Sequence, residues 1–297
     1  MAMHKNRYNA LRLKLRLSPK GPLLIKAGGI SANPTLPDMQ FVRTFHPGKG
    51  EVLYIPGSSL KGVVRGFVEK ALRTVNEQGS WRWACTTFPD DPDSCGKRLE
   101  KEESSFRIYG NSCGACRIFG HTRLKGRVAF TDLLPTTDVK TEIRYGVAIS
   151  RLSHAVGAGP FEMEIAVAGA FEGQLILENF ELWQLGLLAM ALEAMNQGLV
   201  KVGFGKNRGF GEVHVEVVEA MMEEFSSGAQ DTVWRSLGAF TDDEEARRYR
   251  LFAPHRIEGM PTPERSEAIG FYVRRVYGPE TWRQAARQVL EQTLSAA

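Results

Sequence analysis

All four cysteines of this 297-residue chain lie within one short stretch, which makes that stretch a candidate for metal or redox chemistry. Cys113 and Cys116 are separated by two residues, the gap of a zinc knuckle, and Cys85 and Cys95 supply two further thiolates at a longer gap. In a reducing compartment this spacing favours metal over disulfides. A redox Cys-x-x-Cys pair would need a strand-to-helix setting, and free buried cysteines are the plain alternative. We predict a structural zinc site of four thiolates, with His121 as a reserve ligand and no open position for catalysis.

A second candidate site is the segment 55–65, Ile-Pro-Gly-Ser-Ser-Leu-Lys-Gly-Val-Val-Arg, in which a Pro-Gly turn precedes a helical pattern. Ser58 or Ser59 can cap the helix, and a helix start offers free backbone N–H groups to an anion. Lys61 and Arg65 are one turn apart on the same side of that helix. The segment predicts a phosphate-binding helix start, although a capped amphipathic helix with solvated charges explains the same pattern.

A glycine-rich stretch at residues 203–211, Gly-Phe-Gly-Lys-Asn-Arg-Gly-Phe-Gly, is the third candidate. Gly203 and Gly205 allow the backbone to approach a ligand closely, while Lys206 and Arg208 supply positive charge. The stretch lacks the Gly-Lys-Ser/Thr end of a Walker loop, and no strand directly precedes it as a dinucleotide fingerprint requires. It predicts either a ligand-facing loop or a tight glycine turn.

The distribution of charge says more than its total, because the formal net charge of +4 is mild. Residues 1–30 contain seven Lys or Arg and no acid, and residues 107–127 contain five basic residues and no acid. Acidic residues collect at 90–103 and 242–245. Such segregation predicts one side that faces a polyanion, or equally a solvated basic face.

Hydrophobic periodicity places these candidates on elements of an α+β fold. Residues 8–17 alternate leucine with basic residues, which predicts a half-buried strand whose other face is cationic. The further predicted elements are a helix from Ser58 or Ser59, strands at 128–134 and 171–177, a helix at 182–195 and a strand at 211–218. This order predicts a ferredoxin-like unit.

Taken together, these strings resemble the RAMP superfamily, and in particular the backbone (large, filament-forming) subunits of type III or type III-derived CRISPR effector complexes. Residues 55–65 are similar to the helix start of those proteins, and residues 203–211 to their glycine-rich loop. Residues 116–132 resemble the segment that leads into a central strand. Residues 144–151 and 155–162 resemble the base and tip of the thumb hairpin, which in this family wedges between guide and target strands.

The resemblance covers roughly residues 8–218 and implies a modified ferredoxin-like (RRM-like) RAMP core over residues 1–222. Within that core it implies a zinc-bound insertion at about 80–120 and a thumb at about 140–170. It leaves residues 223–297 unexplained. Their Arg- and Glu-rich sequence, broken by prolines, predicts a helical C-terminal extension as a second domain.

The same resemblance implies a guide-RNA-binding subunit of antiviral defence, which assembles with copies of itself and with other CRISPR effector subunits around guide RNA and target RNA. The residues expected at the RNA are Ser58, Ser59, Lys61, Arg65, Arg151, Gly203, Gly205, Lys206 and Arg208. No apolar run approaches the roughly 18 residues that span a bilayer, so we expect a cytoplasmic protein without a membrane partner.

Cleavage of the target is a separate question, because it depends on one acid. Relatives that cut target RNA use an acidic residue on the loop between the first strand and the helix of the 55–65 string, and here Asp38 occupies that interval. Asp38 could hold Mg²⁺ or Mn²⁺ against a phosphate or help activate the ribose hydroxyl, although an exposed turn Asp after Pro37 is common. A non-cleaving structural subunit is the alternative. A stand-alone ribonuclease that processes precursor guide RNA is a further one, but the six histidines form no obvious catalytic pair.

Overall fold

The computed structural model describes residues 5–28, 35–76 and 82–294 and is built around an antiparallel sheet. The strands are β1 Asn9–Pro19, β2 Arg43–His46, β3 Gly50–Leu53, β4 Gly120–His121, β5 Leu124–Lys125, β6 Val128–Phe130, β7 Leu134–Pro135, β8 Lys140–Ile149, β9 Val156–Ala168, β10 Phe171–Glu178, β11 Val213–Phe225, β12 Trp234–Arg235, β13 Arg256–Ile257, β14 Arg265–Ile269 and β15 Tyr272–Tyr277. The α-helices are α1 Gly57–Asn76, α2 Cys95–Arg98, α3 Ser105–Asn111, α4 Gly114–Phe119, α5 Leu182–Asn196, α6 Asp243–Tyr249 and α7 Pro279–Leu294.

Strand β1 lies at the centre of the sheet and anchors the core. Its leucines, Leu11, Leu13, Leu15 and Leu17, are each 1% exposed, as the alternation in the sequence predicted. Leu15 and Leu17 meet Leu60 of α1 and residues of α5, because successive strand side chains point to opposite faces and the helices cover one face. The strand therefore fixes where α1 lies.

The order of elements around β1 is the β-α-β-β-α-β order predicted from the sequence. β1, α1, β6, β10, α5 and β11 follow one another along the chain, with the insertion 82–125 between α1 and β6. In the sheet the strands lie in the order β11-β1-β10-β6, and all pairs are antiparallel. This is an α+β fold in which both helices return to the same face of the sheet.

Helix α5 is apolar around most of its circumference because it is covered on several sides. It contacts α1, α7 and β11, and the missing side chain of Gly186 lets α7 approach, since a Cβ there would lie 3.4 Å from the Cα of Leu290. Among the described residues, no helix is long and apolar enough to cross a membrane. The hydrophobicity of α5 matches its contacts with α1, α7 and β11.

The strand predicted at 128–134 is interrupted, and the interruption serves the start of α1. β6 ends at Phe130, and β7 resumes at Leu134. Between them Leu133 pairs with Ile55, and the Asp132 carboxylate accepts the Gly57 N–H at 2.8 Å. The chain therefore leaves the sheet edge to cap the helix.

The cationic sheet face predicted for β1 is wrong, because neighbouring strands neutralise it. Lys14 and Arg16 lie 3.1 Å and 2.7 Å from the Glu172 carboxylate of β10, and Arg16 lies 3.5 Å from Glu216 of β11. Burial opposes ionisation of Glu172, but hydrogen bonds from Arg16 and Lys14 outweigh it and lower its pKa. The periodicity of one strand cannot reveal the acids that its neighbours bring opposite it.

The C-terminal segment contains helices, as predicted, but it also contributes strands that the sequence analysis missed. β15 pairs with β11, and β14 pairs with β15, so the sheet grows beyond the predicted unit. The prediction overlooked these strands because their arginines are paired internally: Arg275, fully buried, lies 2.6 Å from the equally buried Glu224. β11 runs through residue 222, where the division into two domains stays a prediction.

Candidate nucleic-acid interface and cysteine cluster

A long hairpin formed by β8 and β9 occupies the position predicted for the thumb. The outer half of the hairpin is exposed on both strands, whereas Met163, Glu164 and Ile165 near its base are buried. Along β8, Ile143, Tyr145, Val147 and Ile149 alternate with small or polar residues, so one face carries exposed apolar side chains. Arg151 lies exposed in the turn at its tip. The hairpin therefore has an exposed apolar face and an arginine at its tip.

Asp38 lies on a loop that is attached to the base of this hairpin. Its Oδ2 accepts the backbone N–H of Glu162 at 2.8 Å, and Met39 forms a parallel bridge with Met163. The carboxylate itself is exposed. One oxygen is therefore fixed by the hairpin backbone, while the group remains open to solvent and to a ligand.

A buried carboxylate locks the same loop in place. Glu164, 7% exposed, accepts the Phe41 N–H at 3.1 Å and the Arg43 Nη1–H at 2.9 Å, and a second Arg43 N–H completes a two-pronged contact. The hydrogen bond with Glu164 raises the pKa of Arg43 despite partial burial. Sequence analysis missed Glu164, because nothing in a strand sequence marks a buried acid that serves a loop more than a hundred residues away.

The glycine-rich loop has the geometry of a close backbone approach. Gly203 has φ +81°, and a Cβ at this position would lie 2.2 Å from the Leu24 carbonyl oxygen. Gly205 is also left-handed, at φ +70°, and opens a short 3-10 turn. Lys206 and Arg208 on that turn are exposed. The glycines are thus required by packing against the chain itself, and the loop presents its two cations outward.

Residues 22–27 join the glycine-rich loop to the Asp38 loop and the hairpin. The Leu24 carbonyl accepts the Phe204 N–H at 2.7 Å, and the Ile25 carbonyl accepts the Val42 N–H at 2.9 Å. From the hairpin, Arg144 lies 5.8 Å from the centre of the Phe210 ring. Three motifs that are far apart in the sequence therefore form one continuous surface, and Arg144 is a member of it that sequence analysis did not single out.

The start of α1 corrects one part of the prediction. The N–H of Gly57 is taken by Asp132, and the N–H groups of Ser59 and Leu60 both bond to the Pro56 carbonyl, so these amides are not free for an anion. Ser58 is exposed and Ser59 half-buried. What the helix start still offers to a phosphate includes its two hydroxyl groups and Lys61.

Lys61 and Arg65 differ although they are neighbours on one helix face. Lys61 has no ion-pair partner among the described residues, and burial, followed by the charge of Arg65, lowers its pKa. Arg65 is fully engaged: it donates to Glu69 at 2.7 Å, to the Gly120 carbonyl at 3.2 Å and toward the Cys116 sulfur at 4.0 Å. Lys61 is therefore a half-buried cation without an ion-pair partner in the described structure, whereas Arg65 contacts the Cys116 sulfur and the Gly120 carbonyl.

The four cysteines come together in the interior. Cys85, Cys95, Cys113 and Cys116 are each at most 7% exposed, and their sulfur atoms all lie within 4.8 Å of one another. The Cys85–Cys116 sulfur separation is 3.7 Å, far beyond the roughly 2.05 Å of a disulfide. Four thiolates at about 2.3 Å from one Zn²⁺ would lie about 3.8 Å apart in a tetrahedron. The donor set therefore fits a structural zinc ion.

Backbone N–H groups already point at this cluster. The Cys113 N–H donates to the Cys95 sulfur at 3.3 Å, and the Cys116 N–H donates to the Cys113 sulfur at 3.4 Å. Hydrogen bonds from Cys113 and Cys116 lower the pKa of Cys85 to about 6. The pKa of Cys116, by contrast, is raised by its hydrogen bonds with the other three cysteines and by burial, so the four thiols do not all ionise together without a metal.

His121 lies near the cluster but outside the cysteine group. Its Nε2 lies 2.9 Å from the Ser112 hydroxyl, and its Nδ1 accepts the Arg123 N–H at 3.3 Å. Both ring nitrogens therefore have other partners. The group of potential ligands that the structure brings together consists of the four cysteines alone among the described residues.

Comparison with known proteins identifies the family to which this architecture belongs. No curated protein matches the chain. The family model of the RAMP superfamily matches residues 16–214, about two thirds of the chain, from β1 to β11. This span includes the cysteine cluster, the hairpin and the glycine-rich loop, and membership implies an RNA-binding protein of a CRISPR system. The chain belongs to the RAMP superfamily.

Proposed function

We propose that the protein is a guide-RNA-binding backbone subunit of a type III-like CRISPR effector, with an RRM-like ferredoxin core, β8 and β9 as its thumb and a zinc-bound insertion. The observation that carries this proposal is the continuous surface formed by the glycine-rich loop, the Asp38 loop and the hairpin base. A surface with exposed cations beside the exposed apolar face of the hairpin suits a paired nucleic acid, because phosphates bind positive charge and bases stack on apolar side chains. Copies of the chain and other effector subunits would line the same guide.

The proposed backbone contacts are Lys61, Lys206 and Arg208, with Arg151 at the hairpin tip. The hydroxyls of Ser58 and Ser59 and the backbone at Gly203 and Gly205 would approach the phosphates between them. Arg65 remains a predicted RNA contact, but the groups that it contacts in the structure favour a role at the cysteine cluster.

Salt dependence tests the phosphate contacts. Lys61→Gln or Arg208→Gln should weaken binding equally to unrelated RNA sequences and reduce the salt slope by roughly one unit each. Lys70, exposed on the same helix α1, is the matched control and should leave the slope unchanged when replaced by Gln. A loss confined to one RNA sequence would instead indicate base recognition.

For cleavage we propose Asp38 as the residue that holds Mg²⁺ or Mn²⁺ at the scissile phosphate. The proposal is supported by the exposed carboxylate fixed at the hairpin base, beside the proposed track of the RNA. Asp38→Asn keeps an oxygen that can accept the Glu162 N–H and removes the charge, so it should abolish metal-dependent cutting of a matched target while leaving guide and target binding intact. Asp138→Asn, an exposed acid before β8, is the control.

Two outcomes would redirect the assignment. If complexes with intact Asp38 never cut matched RNA in any divalent metal, the chain is a non-cleaving structural subunit. If Asp38→Asn complexes cut at the parental rate, the active residue lies elsewhere. Co-purification separates both from a stand-alone processing ribonuclease: a backbone subunit should carry guide-length RNA and form RNA-dependent multimers in size-exclusion chromatography, whereas a processing enzyme should stay small.

We further propose that Cys85, Cys95, Cys113 and Cys116 hold a structural zinc ion, which would supply stability rather than catalysis because four thiolates leave no open position. Elemental analysis of the purified chain should find about one zinc per chain. Replacing Cys113 and Cys116 together by Ser should lower thermal stability more than it lowers RNA affinity. Substoichiometric zinc with unchanged melting would contradict the site.

A further inference from the structure

The charge of the cysteine cluster poses a physical problem that two arginines can solve. Four thiolates around one Zn²⁺ carry two negative charges in excess of the metal. The cluster is buried, and an uncompensated charge in the interior is strongly unfavourable. Backbone N–H groups reach Cys95 and Cys113, but amide dipoles do not neutralise a net charge.

Two guanidinium groups, from different helices, each lie near one of the four sulfur atoms. Arg65 of α1 places Nη2 4.0 Å from the Cys116 sulfur, and Arg98 of α2 places Nη2 3.7 Å from the Cys95 sulfur. Each is also held by a backbone carbonyl, Arg65 by that of Gly120 at 3.2 Å and Arg98 by that of Asn111 at 2.5 Å. Glu69 is shared by Arg65 and Arg73, so these three residues together carry one positive charge, and Arg98 supplies a second, which matches the two excess negative charges.

The hold on Arg65 is itself part of a network. Glu69, buried in α1, bonds to Arg65 at 2.7 Å and to Arg73 at 3.2 Å, and Arg73 donates to the Cys85 carbonyl at 3.2 Å. The helix face that points inward is therefore tied to the cluster at two cysteines. Lys61, one turn earlier, has no ion-pair partner in the described structure.

We propose that Arg65 and Arg98 neutralise the zinc–thiolate cluster, and that Arg65 serves as a positioning residue for it rather than as an RNA contact. The inference rests on the proposed zinc site. Arg65 would thereby also link α1 to the insertion. Removing either guanidinium would leave the buried cluster with an excess negative charge and should weaken zinc binding. Replacement of residues in hydrogen-bond contact with metal ligands typically weakens metal binding by about 10–100-fold.

The test is a zinc competition assay on the purified full chain, with a chromogenic chelator as the competing ligand. Arg65→Gln and Arg98→Gln should each bind zinc about 10–100-fold more weakly than the parent protein, and Arg65→Lys, which keeps the charge, should lie between. Arg82→Gln is the matched control, since Arg82 lies in the same insertion and pairs with Asp93 but contacts no cysteine sulfur. Should Arg65→Gln fail to fold, Arg98, exposed on α2, carries the test alone.

Two measurements keep the outcomes distinct. At saturating zinc, the RNA salt slope of Arg65→Gln should equal that of the parent, whereas an RNA contact would lower it by roughly one unit. Parental zinc affinity in both Gln variants overturns this inference and leaves the zinc site standing. A parent protein without zinc overturns the site and the inference together.

Discussion

Glu164 is the residue whose removal should separate the Asp38 loop from the hairpin. Glu164→Ala deletes the acceptor of the Phe41 N–H and of both Arg43 contacts. It leaves a buried amide without its acceptor and a partly buried guanidinium with the Phe41 carbonyl and the exposed Glu51 as its remaining partners. An unsatisfied buried N–H costs about 1–3 kcal/mol and a hydrogen bond to a charged group about 1.5–3 kcal/mol. Because Arg43 is one-third exposed and can regain water, we expect a total near 3 kcal/mol, at the low end of the range for breaking a buried pair.

The assay compares this variant with a control that touches the same arginine. Glu51 lies 3.7 Å from Arg43 but is 73% exposed, so Glu51→Ala should cost less than about 1 kcal/mol. By differential scanning calorimetry Glu164→Ala should lower Tm by roughly 6–12 °C, at about 2–4 °C per kcal/mol. At temperatures below the melting transition, target cleavage should decrease while guide binding persists, because the Asp38 loop loses its anchor but the proposed RNA-binding cations remain. Equal Tm values for the two variants would refute the reasoning.

Other predictions concern the same framework. Asp132→Ala should lower the free energy of unfolding by about 1 kcal/mol, because it removes the cap on Gly57, while Asp132→Asn should be nearly neutral; urea unfolding checks both. The pKa of Glu223 is lowered because hydrogen bonds from two arginines outweigh burial, so its contribution to stability is present above about pH 4.5 and lost as pH falls through its folded pKa; Glu223→Gln should therefore lose less stability between pH 7 and pH 3. Gly203→Ala combines a left-handed φ with a clash against a backbone carbonyl, whereas Gly209→Ala has the same φ of +81° and open space, so only the latter should cost as little as about 1–2 kcal/mol. Equal costs for the two glycine variants would show that the clash is relieved at no expense.

Local patterns were sufficient where the physics is local. The leucine alternation of β1 predicted its burial, because a strand side chain meets the core every second residue. The cysteine spacing correctly predicted one cluster of four cysteines. Cys85 and Cys95 lie well before Cys113 and Cys116 in the sequence, but a four-thiolate site in this chain requires all four cysteines. Both inferences needed only residue types and intervals.

What could not be predicted depends on partners brought together by the fold. The alternating cations of β1 suggested a basic face, but only the register with β10 puts Glu172 opposite Arg16. The spacing of Lys61 and Arg65 placed both on one helix face, yet the fold brings the Cys116 sulfur and the Gly120 carbonyl to Arg65, while Lys61 has no ion-pair partner among the described residues. In each instance the sequence shows the charge but not the group that neutralises it.

Neutralisation by the fold supplies a criterion for choosing RNA contacts that composition cannot supply. Cations that face internal acids, such as Arg16 and Arg43, have less to gain from a phosphate, because binding RNA would require breaking a bond already formed. Among the described residues, Lys61, Lys206 and Arg208 form no such ion pair, and the last two lie on the surface that includes Asp38. Positive potential there would concentrate both RNA phosphates and their counterions around one carboxylate. The Asp38 carboxylate would repel the RNA when no metal is bound and would bridge to it when a divalent ion is present. Metal should therefore affect target contact at Asp38 more than it affects guide binding along the rest of the surface.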